Sequence, residues 1–250
     1  MELDEFMNEL YKAIDKKGMT ILTGAGLSTA SGIKDFRGKN GLYKQNVKAE
    51  TILSRDYFEV YPEDFYHFFR KELIVDNVKP NLMHEVIKML QDKGVVRCVI
   101  TQNIDNLDRE AGTKDVLEIH GNATRFSCMD CKKPYSLEDI KGMDLVPRCS
   151  CGGIIRPDIV LYEEIPNPNV MNPAMYNAQF SNSFLVIGSS LAVTTAYSIV
   201  HAFAVEKQYD DNKQLFIINQ GPTQADGLAN YKYDGDIIDV AEKIKKYIMK

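Results

Sequence analysis

Four short apolar runs set the kind of fold that this chain of 250 residues can adopt. The runs are MTIL from Met19, VVRCVIT from Val95, SFLVIG from Ser183 and QLFIIN from Gln214, and each leads into small or polar residues. Strands that are apolar throughout are buried on both faces, as in parallel sheets. Amphipathic helical patterns alternate with these runs. The sequence therefore predicts an α/β fold with a Rossmann-like, doubly wound parallel sheet.

Helical periodicity fills the intervals between the strands. Residues 2–18 and 81–94 carry apolar side chains at helical spacing, and each stretch ends at a glycine. Residues 236–249 predict a last short strand followed by a helix. Ligands of doubly wound sheets bind beyond the carboxyl ends of the strands. We therefore expect the ligand site where the four strand ends, TGAG, TQNID, GSSL and INQG, come together.

Two stretches interrupt the alternation of strands and helices. Residues 41–80 are rich in aromatic side chains and predict a helical module, and residues 123–157 contain four of the five cysteines. We interpret both as insertions that form a small domain. The segments 1–40, 81–122 and 158–250 then form the discontinuous sheet domain. A cleft between a sheet domain and such insertions is a usual place for a substrate.

Charge and hydropathy exclude several classes of protein. The net charge is −5, which gives no basic field for nucleic acid or an anionic membrane. No apolar run approaches the ~20 residues that span a bilayer. The first residues, MELDEF, lack the basic start and apolar core of a signal peptide. We expect a cytosolic protein with neither nucleic-acid nor membrane partners.

The cysteine spacing predicts a metal site. Cys128 and Cys131 form C-x-x-C, and Cys149 and Cys151 form C-x-C after a gap of seventeen residues. In a reducing compartment two such pairs favour a tetrahedral zinc site over disulfides, and four thiols without metal are the alternative. Four thiolates leave no vacant position on the metal, so the zinc is predicted to be structural. Cys98 lies within an apolar run and is assigned to the core.

The first strand ends in a glycine turn. Gly24 and Gly26 would let the main chain approach a ligand, and the helix that follows favours phosphate at its N-terminus. A tight turn without a ligand is the alternative interpretation. Gln102, Asn103 and Asp105 end the second strand, where they either point into the cleft or cap the next helix.

His120 follows the short apolar run VLEI and precedes a glycine, so it also lies at a predicted strand end. A lone histidine is more often structural than catalytic. Its place at the mouth of the predicted cleft, directly before the cysteine module, favours a general base.

The motifs GAGLSTASGIKDFRG, TQNID, HG, the two cysteine pairs, RPDIVLYEE, GSSLAV and INQGPT occur in this order. This series resembles the sirtuin family of NAD-dependent protein deacylases along nearly the whole chain. The resemblance implies a Rossmann-type domain and a small domain made of a zinc ribbon and a helical module. It also implies NAD as co-substrate, one structural zinc, and acylated lysine side chains of proteins as substrates. The products would be the deacetylated lysine, nicotinamide and O-acetyl-ADP-ribose.

Individual roles carry over from the resemblance by position in the motifs. His120 would be the general base, while Asn103 and Asp105 would fix the ribose and the leaving group. The substrate peptide would pair with Val160, Leu161, Tyr162, Leu191 and Val193. The resemblance implies that NAD contacts Gly24, Ala25, Gly26, Thr29, Phe36, Arg37, Gln102, Asn103, Ile104, Asp105, His120, Gly188, Ser189, Asn219 and Ile237.

Three positions depart from the family pattern. Lys34 replaces a usual proline, which would make the cofactor loop more mobile. Asp108 replaces a usual histidine that is not the base, so catalysis should survive. Glu163 replaces a usual glycine in the peptide channel and would alter sequence preference.

The helical insert bears on acyl choice. Family members that remove succinyl groups carry a tyrosine and an arginine three residues apart. Here Phe69 stands three residues after Tyr66, with Phe65 and Phe68 beside them. Arg70 comes one step later, a rotation of about 100° on a helix. Acetyl or longer neutral acyl groups are therefore expected in preference to succinyl.

Two other functions use the same residues. A protein mono-ADP-ribosyltransferase would use the same NAD site with a different acceptor, and a non-catalytic NAD-sensing module would bind NAD without turnover. A dehydrogenase fits least, because no separate substrate domain or hydride-handling His/Arg set is evident. The sequence leaves the oligomeric state open, a monomer included.

Overall fold

The computed structural model describes residues 1–36, 41–45, 48–75 and 77–250. The helices are α1 (Leu3–Lys16), α2 (Ala25–Ser28), α3 (Leu42–Gln45), α4 (Ala49–Ile52), α5 (Arg55–Val60), α6 (Pro62–Phe68), α7 (Leu82–Asp92), α8 (Leu107–Glu110), α9 (Leu137–Lys141), α10 (Pro168–Gln179), α11 (Thr194–Lys207) and α12 (Ile237–Ile248). A 3₁₀ turn covers Thr29–Ser31, and a π-helical turn covers Phe69–Leu73. The strands are β1 (Met19–Thr23), β2 (Val96–Thr101), β3 (Val116–Glu118), β4 (Gly121–Cys128), β5 (Pro134–Ser136), β6 (Ile155–Ile159), β7 (Ser183–Ile187), β8 (Gln214–Ile218) and β9 (Tyr231–Tyr233).

The larger sheet has six parallel strands in the order β3-β2-β1-β7-β8-β9. Numbered within this sheet, the order is 3-2-1-4-5-6, which is that of the dinucleotide-binding Rossmann fold. Every residue of β1 and of β7 is buried, because helices cover both faces. The predicted fold class is confirmed. The strand order reverses between β1 and β7, and ligands of such sheets bind at that point.

Two hydrophobic cores lie on opposite faces of this sheet. One contains the buried faces of α1, α7 and α12, and the other contains those of α10 and α11. Helix α7 begins at the predicted place because Asn81 caps it: the Asn81 side chain accepts hydrogen bonds from the backbone N–H groups of Met83 and His84. The Asn81 amide also donates to the Leu27 carbonyl oxygen at 2.8 Å, which connects α7 to the glycine turn.

The strand predicted within residues 236–249 is wrong. This stretch is helix α12 alone, because Asp236 caps it directly by accepting a hydrogen bond from the Ile238 N–H at 2.8 Å. Its buried side chains, Ile237, Val240, Ala241, Ile244 and Ile248, recur at helical spacing. The last strand, β9, lies upstream at Tyr231–Tyr233, where its half-buried residues form an edge of the sheet.

Both inserted stretches contribute to a third hydrophobic core. Strands β5-β4-β6 form an antiparallel sheet that extends beyond the 123–157 stretch at both ends, since β4 begins at Gly121 and β6 ends at Ile159. Phe126 of β4 packs edge-on against Phe69 of the helical stretch, with ring centroids 5.9 Å apart. The two insertions therefore share one hydrophobic core.

Within the described residues, no helix combines the length and the apolar character that crossing a membrane requires.

Candidate active site

The carboxyl ends of β1 and β7 meet in a contact between glycines. The Gly24 N–H donates to the Ile187 carbonyl oxygen at 2.9 Å, and the Gly26 N–H donates to the Gly188 carbonyl oxygen at 2.8 Å. A Cβ on Gly24 would lie 2.7 Å from the Gly188 oxygen, and one on Gly26 would lie 2.8 Å from the Gly188 Cα. The glycines are therefore needed first for this close packing. Ala25 and Gly26 of this turn line the cleft.

The end of β2 is fixed by side-chain hydrogen bonds to the segments that follow β1 and β7. Gln102 Nε2 donates to Ser189 Oγ at 2.8 Å, and Asn103 Nδ2 donates to the Gly24 carbonyl oxygen at 3.1 Å. Asn103 Nδ2 also lies 3.2 Å from Ser28 Oγ, which in turn donates to Asp105 Oδ2 at 2.6 Å. The structure thus brings the predicted residues of TGAG, TQNID and GSSL together.

Asp105 caps the helix that follows it as well as contributing to the site. Its Oδ1 accepts a hydrogen bond from the Leu107 N–H at 2.9 Å, which is the helix-capping role considered as the alternative interpretation. Burial raises the pKa of Asp105, against the opposing hydrogen bonds from Ser28 and Leu107. A carboxyl group with this orientation can accept hydrogen bonds from hydroxyl groups of a ligand.

Asp108 lies behind this loop and is 3% exposed. Thr23 Oγ1 is 3.2 Å from Asp108 Oδ2 and 2.8 Å from Thr101 Oγ1. Burial raises the pKa of Asp108 to about 6. The departure at position 108 is therefore accommodated by threonine hydroxyl groups at the ends of β1 and β2.

His120 is held at both ring nitrogens. Its Nδ1 lies 3.1 Å from the Gln102 carbonyl oxygen, and its Nε2 lies 3.0 Å from Thr195 Oγ1. A carbonyl oxygen can only accept, so Nδ1 carries the proton of the neutral ring and Nε2 carries the lone pair. A general base needs an orienting acceptor on one nitrogen, which the Gln102 carbonyl oxygen supplies, and a lone pair on the other, which here faces the Thr195 hydroxyl group.

These groups line one cleft of about 590 Å³, a volume typical of small-molecule sites. Ten of the predicted cofactor residues line it: Ala25, Gly26, Phe36, Gln102, Asn103, Ile104, His120, Gly188, Ser189 and Asn219. A second, smaller recess adjoins it and is lined by Ser28, Phe36, Asn103, Ile104 and Asp105 among others.

Comparison with known proteins agrees with this geometry. The Sir2 family model matches residues 24–195. The chain belongs to the Sir2 family. An NAD-dependent protein deacetylase of Clostridium perfringens is 36% identical over 97% of this chain and 99% of its own length. One from Thermotoga maritima is 37% identical over 95% of this chain and 96% of its own length.

Solved Sir2 structures share the fold. A Sir2 complex with a p53 peptide and NAD+ has a TM-score of 0.87 at 34% identity and covers 97% of this chain and 98% of that chain. A Sir2 structure bound to a propionylated peptide has a TM-score of 0.85 at 33% identity and covers 97% of this chain and 98% of that chain. The family resemblance is confirmed.

Other predicted residues of this Sir2 protein lie off the cleft lining. Gly24 lies in the glycine contact, and Thr29 is exposed with its hydroxyl on the Gly26 carbonyl oxygen at 2.8 Å. Leu191 and Ile237 are buried in the cores on the two faces of the sheet. Arg37 lies outside the described residues.

The predicted peptide-binding stretch follows β6. Val160, Leu161, Tyr162 and Val193 line the cleft, and the Tyr162 N–H donates to the Leu53 carbonyl oxygen at 2.9 Å. Tyr162 Oη lies 2.7 Å from Tyr43 Oη, and the Tyr43 ring contacts that of Phe36 with centroids 5.5 Å apart. Phe36, Tyr43 and Tyr162 therefore form an aromatic wall of the cleft on the side of the helical stretch.

Glu163 is exposed on the cleft lining and has a φ of +73°, in the left-handed region that favours glycine. Its carboxylate lies 3.4 Å from the Asp56 N–H, in the first turn of α5. The next residue, Glu164, pairs with Arg156 at 2.6 Å, and these hydrogen bonds lower the pKa of Glu164 against the opposing effect of its burial. Glu163 thus places an exposed acidic side chain on the lining of the cleft.

The aromatic side chains of the helical stretch do not surround the acyl channel as expected. Phe65, Tyr66 and Phe69 are fully buried in the shared core, and the Tyr66 hydroxyl donates to the Ile155 carbonyl oxygen. Their rings pack against one another within this core. The apolar lining of the cleft comes from other residues: Phe36, Leu53, Leu73, Ile104, Ile159 and Leu161.

Sequence reasoning missed Thr195. It lines the cleft and contacts His120 across a separation of 75 residues. Thr195 lies in the first turn of the helix that follows GSSLAV. Because the strand end in that motif was assigned to the site, this position could have been predicted to lie near it.

The four predicted cysteines form a metal-binding cluster. Their sulfur atoms all lie within 4.8 Å of one another, with Cys128–Cys151 and Cys131–Cys149 separations of 3.5 and 3.6 Å. Four sulfurs at the usual Zn–S distance of about 2.3 Å in a tetrahedron are about 3.8 Å apart. The cluster therefore fits one structural zinc ion.

The cluster is supported by its surroundings. Tyr135 of β5 donates a hydrogen bond from its hydroxyl to Cys149 Sγ at 3.0 Å, an orienting contact of the kind that supports metal ligands. All ligand positions of a tetrahedral ion are filled by the four sulfurs, so the ion supplies folding energy rather than chemistry.

Proposed function

We propose that this chain is an NAD-dependent protein lysine deacetylase that yields nicotinamide, O-acetyl-ADP-ribose and the deacetylated lysine. The observation that carries the proposal is the position of His120, whose ring is oriented by the Gln102 carbonyl oxygen at 3.1 Å in a cleft built from the carboxyl ends of β1, β2 and β7. The curated relatives aligned over nearly the whole chain are named NAD-dependent protein deacetylases.

NAD supplies a ribose carbon that becomes electrophilic as nicotinamide leaves. The residues present fit it: the cleft volume suits a dinucleotide, the glycine turn lies at the switch point of the sheet, and a smaller recess adjoins the cleft. We assign the nicotinamide end of the co-substrate to this recess. The adenosine end then lies toward Gly188, Ser189 and Asn219, at the ends of β7 and β8.

Asn103 and Asp105 position the sugar and the carboxamide. Ser28 connects them, since it lies within hydrogen-bond distance of the Asn103 amide and donates to the Asp105 carboxylate. This network fixes the two polar side chains before a ligand arrives. Positioning of this kind lowers the entropic part of the barrier, and it needs no movement at the moment of reaction.

The acylated lysine enters between the aromatic wall and the β6 end. Its acyl oxygen attacks the ribose carbon, so the reacting atoms must be aligned and shielded from water. Phe36, Tyr43 and Ile104 provide apolar surface beside Asn103. The peptide main chain adds as a strand between Val160–Tyr162 and Val193.

His120 removes a proton from a ribose hydroxyl group. The Gln102 carbonyl oxygen holds Nδ1–H, so Nε2 takes the proton. A positioned general base of this kind contributes about 10²–10⁴-fold in rate. The resulting alkoxide attacks the acyl carbon. A solvent water molecule then adds to that carbon, the C–N bond to the lysine breaks, and the acetyl group stays on the sugar as an ester while the lysine amine leaves.

We propose the domain division that the sequence predicts: segments 1–40, 81–122 and 158–250 as the NAD-binding domain, and segments 41–80 and 123–157 as the small domain. The separate hydrophobic core shared by the two insertions supports this division. A cytosolic location is part of the proposal, supported by four clustered cysteines that form no disulfide and fit a zinc site. Cell fractionation tests it.

One experiment separates this activity from protein mono-ADP-ribosylation. The chain is incubated with adenine-labelled NAD and an acetyl-lysine peptide, and the products are resolved by mass spectrometry. Deacetylation moves the label into O-acetyl-ADP-ribose. Label retained on protein would instead show an ADP-ribosyltransferase, and NAD binding without nicotinamide release would show a non-catalytic module.

A further inference from the structure

The contact between Thr195 and His120 has a direct chemical consequence. Thr195 lies in the first turn of α11, and its Oγ1 is 3.0 Å from His120 Nε2. Because Nδ1 donates to the Gln102 carbonyl oxygen, the neutral ring has no proton on Nε2. The Thr195 hydroxyl is then the donor in this hydrogen bond, and His120 Nε2 is the acceptor.

An imidazole nitrogen has one lone pair, so it accepts one hydrogen bond. The proposed reaction needs that same lone pair for a ribose hydroxyl. Both hydroxyl groups cannot donate to it at once. We propose that Thr195 is a positioning residue that caps the base of the ligand-free protein and releases Nε2 when the co-substrate binds.

The capping contact predicts how binding changes when the hydroxyl group is removed. Thr195→Val keeps the shape of the side chain and removes the donor. In Thr195→Val, NAD does not have to displace the Thr195–His120 hydrogen bond, and the net free energy of one such bond is modest. We therefore expect this variant to bind NAD about 2–10-fold more tightly, measured by calorimetry. Thr195→Ser restores the donor and should bind as the native protein does.

A matched control lies next in the chain. Thr194 is exposed in the same helical turn, and Thr194→Val makes the same chemical change there. We expect it to bind NAD as the native protein does. Equal or weaker NAD binding by Thr195→Val, relative to Thr194→Val, would overturn the proposal.

Turnover distinguishes capping from proton relay. If Thr195 passed the proton from the ribose to His120, Thr195→Val would lose about 10²-fold or more in kcat, and Thr195→Ser would recover it. Capping predicts instead that Thr195→Val keeps kcat within a few-fold. A large loss that serine rescues would overturn capping.

The inference rests on the proposed function, so one readout uses neither NAD nor an acyl peptide. The chain has four histidines, which makes ¹⁵N spectra of the ligand-free protein assignable with a His120→Ala variant. We expect the Nδ1-protonated ring at His120, with its Nε2 resonance moving downfield in Thr195→Val as the hydrogen bond is lost. No movement would overturn the cap, whether or not the protein deacetylates. Movement without turnover would uphold the cap and count against the proposed function.

Discussion

The guanidinium group of Arg70 donates a hydrogen bond to the Asp144 carbonyl oxygen at 2.9 Å, beyond the C-terminus of α9. The same nitrogen lies 3.4 Å from the Ile140 carbonyl oxygen. Carbonyl oxygens at a helix C-terminus carry partial negative charge and stabilise a cation. The charge of Arg70 is therefore held on the side of the cysteine module, where it cannot pair with an anion in the cleft.

This arrangement predicts the acyl preference. A succinyl carboxylate in the apolar channel would be buried without a cation, which costs several kcal/mol. We expect kcat/KM for an acetyl-lysine peptide to exceed that for the matched succinyl-lysine peptide by about 10²-fold or more, because each 1.4 kcal/mol is tenfold. Arg70→Gln should leave this ratio unchanged. Equal or better turnover of the succinyl peptide would show that a cation reaches the channel.

Glu163 should cost stability and direct peptide choice. A non-glycine residue in the left-handed region costs about 1–2 kcal/mol of folding stability. Replacing it with glycine removes this cost, but part of the gain is lost because glycine gives the unfolded chain more conformational freedom. We expect Glu163→Gly to raise the free energy of unfolding in urea by about 0.5–1 kcal/mol.

Glu163→Gln separates charge from backbone strain. It keeps the side-chain length, so we expect no gain in stability. Both variants should lose a preference for lysine or arginine beside the acetyl-lysine, measured as kcat/KM on basic and acidic peptide pairs. Native protein that does not favour the basic peptide would contradict this role.

Asp108 should make stability depend on pH. Its pKa is about 6 in the folded protein and 3.8 for the ordinary group, so the folded chain holds this proton to higher pH than the unfolded chain does. Stability from this group is present below about pH 4 and is lost as the pH rises through 6, by roughly 2–3 kcal/mol. We expect Asp108→Asn to remove most of this decrease in the free energy of unfolding, measured in urea between pH 4.5 and 7.5.

Some of the pH dependence should remain in Asp108→Asn, because burial also raises the pKa of Asp105. Asp210→Asn, at an exposed position, is the control and should behave as the native protein does. A native protein whose stability rises over this pH range by the same amount would contradict the assignment. Asp108→His, which removes no group that lines the cleft, is expected to change turnover little.

The cysteine cluster should couple zinc binding to folding. Elemental analysis should find one zinc per chain, and alanine at any one of Cys128, Cys131, Cys149 or Cys151 should lose the metal and unfold the small module. Cys98→Ala changes a buried cysteine outside the cluster and should keep its zinc. Metal-free protein with full activity and stability would refute the structural role.

The sequence predicts the large sheet because β1 and β7 are buried on both faces and are marked by apolar runs, and the apolar run of β2 is interrupted only by Arg97. The strand ends follow from it, since parallel strands all finish at one edge. β9 escapes prediction because Tyr231–Tyr233 is a three-residue edge strand with only half-buried side chains. No apolar run marks such a segment.

The packing of the helical stretch and the contact made by Thr195 were missed from the sequence for different reasons. Helical periodicity shows that Phe65, Tyr66 and Phe69 are neighbours, but not which surface they meet, and packing against β4 turns them into the core. The Thr195–His120 contact joins a loop to a helix 75 residues later. Such a contact depends on how α11 docks on the sheet, which local pattern does not encode.

The most direct test of the account compares native protein with His120→Ala on one acetyl-lysine peptide with NAD, using mass spectrometry to follow products and calorimetry to follow NAD binding. His201→Ala, an exposed histidine on α11, is the control and should match native protein. We expect native protein to release nicotinamide and form O-acetyl-ADP-ribose. His120→Ala should lose about 10²–10⁴-fold in turnover while it still binds NAD. Native protein that forms no O-acetyl-ADP-ribose, or His120→Ala that turns over at the native rate, would contradict the account.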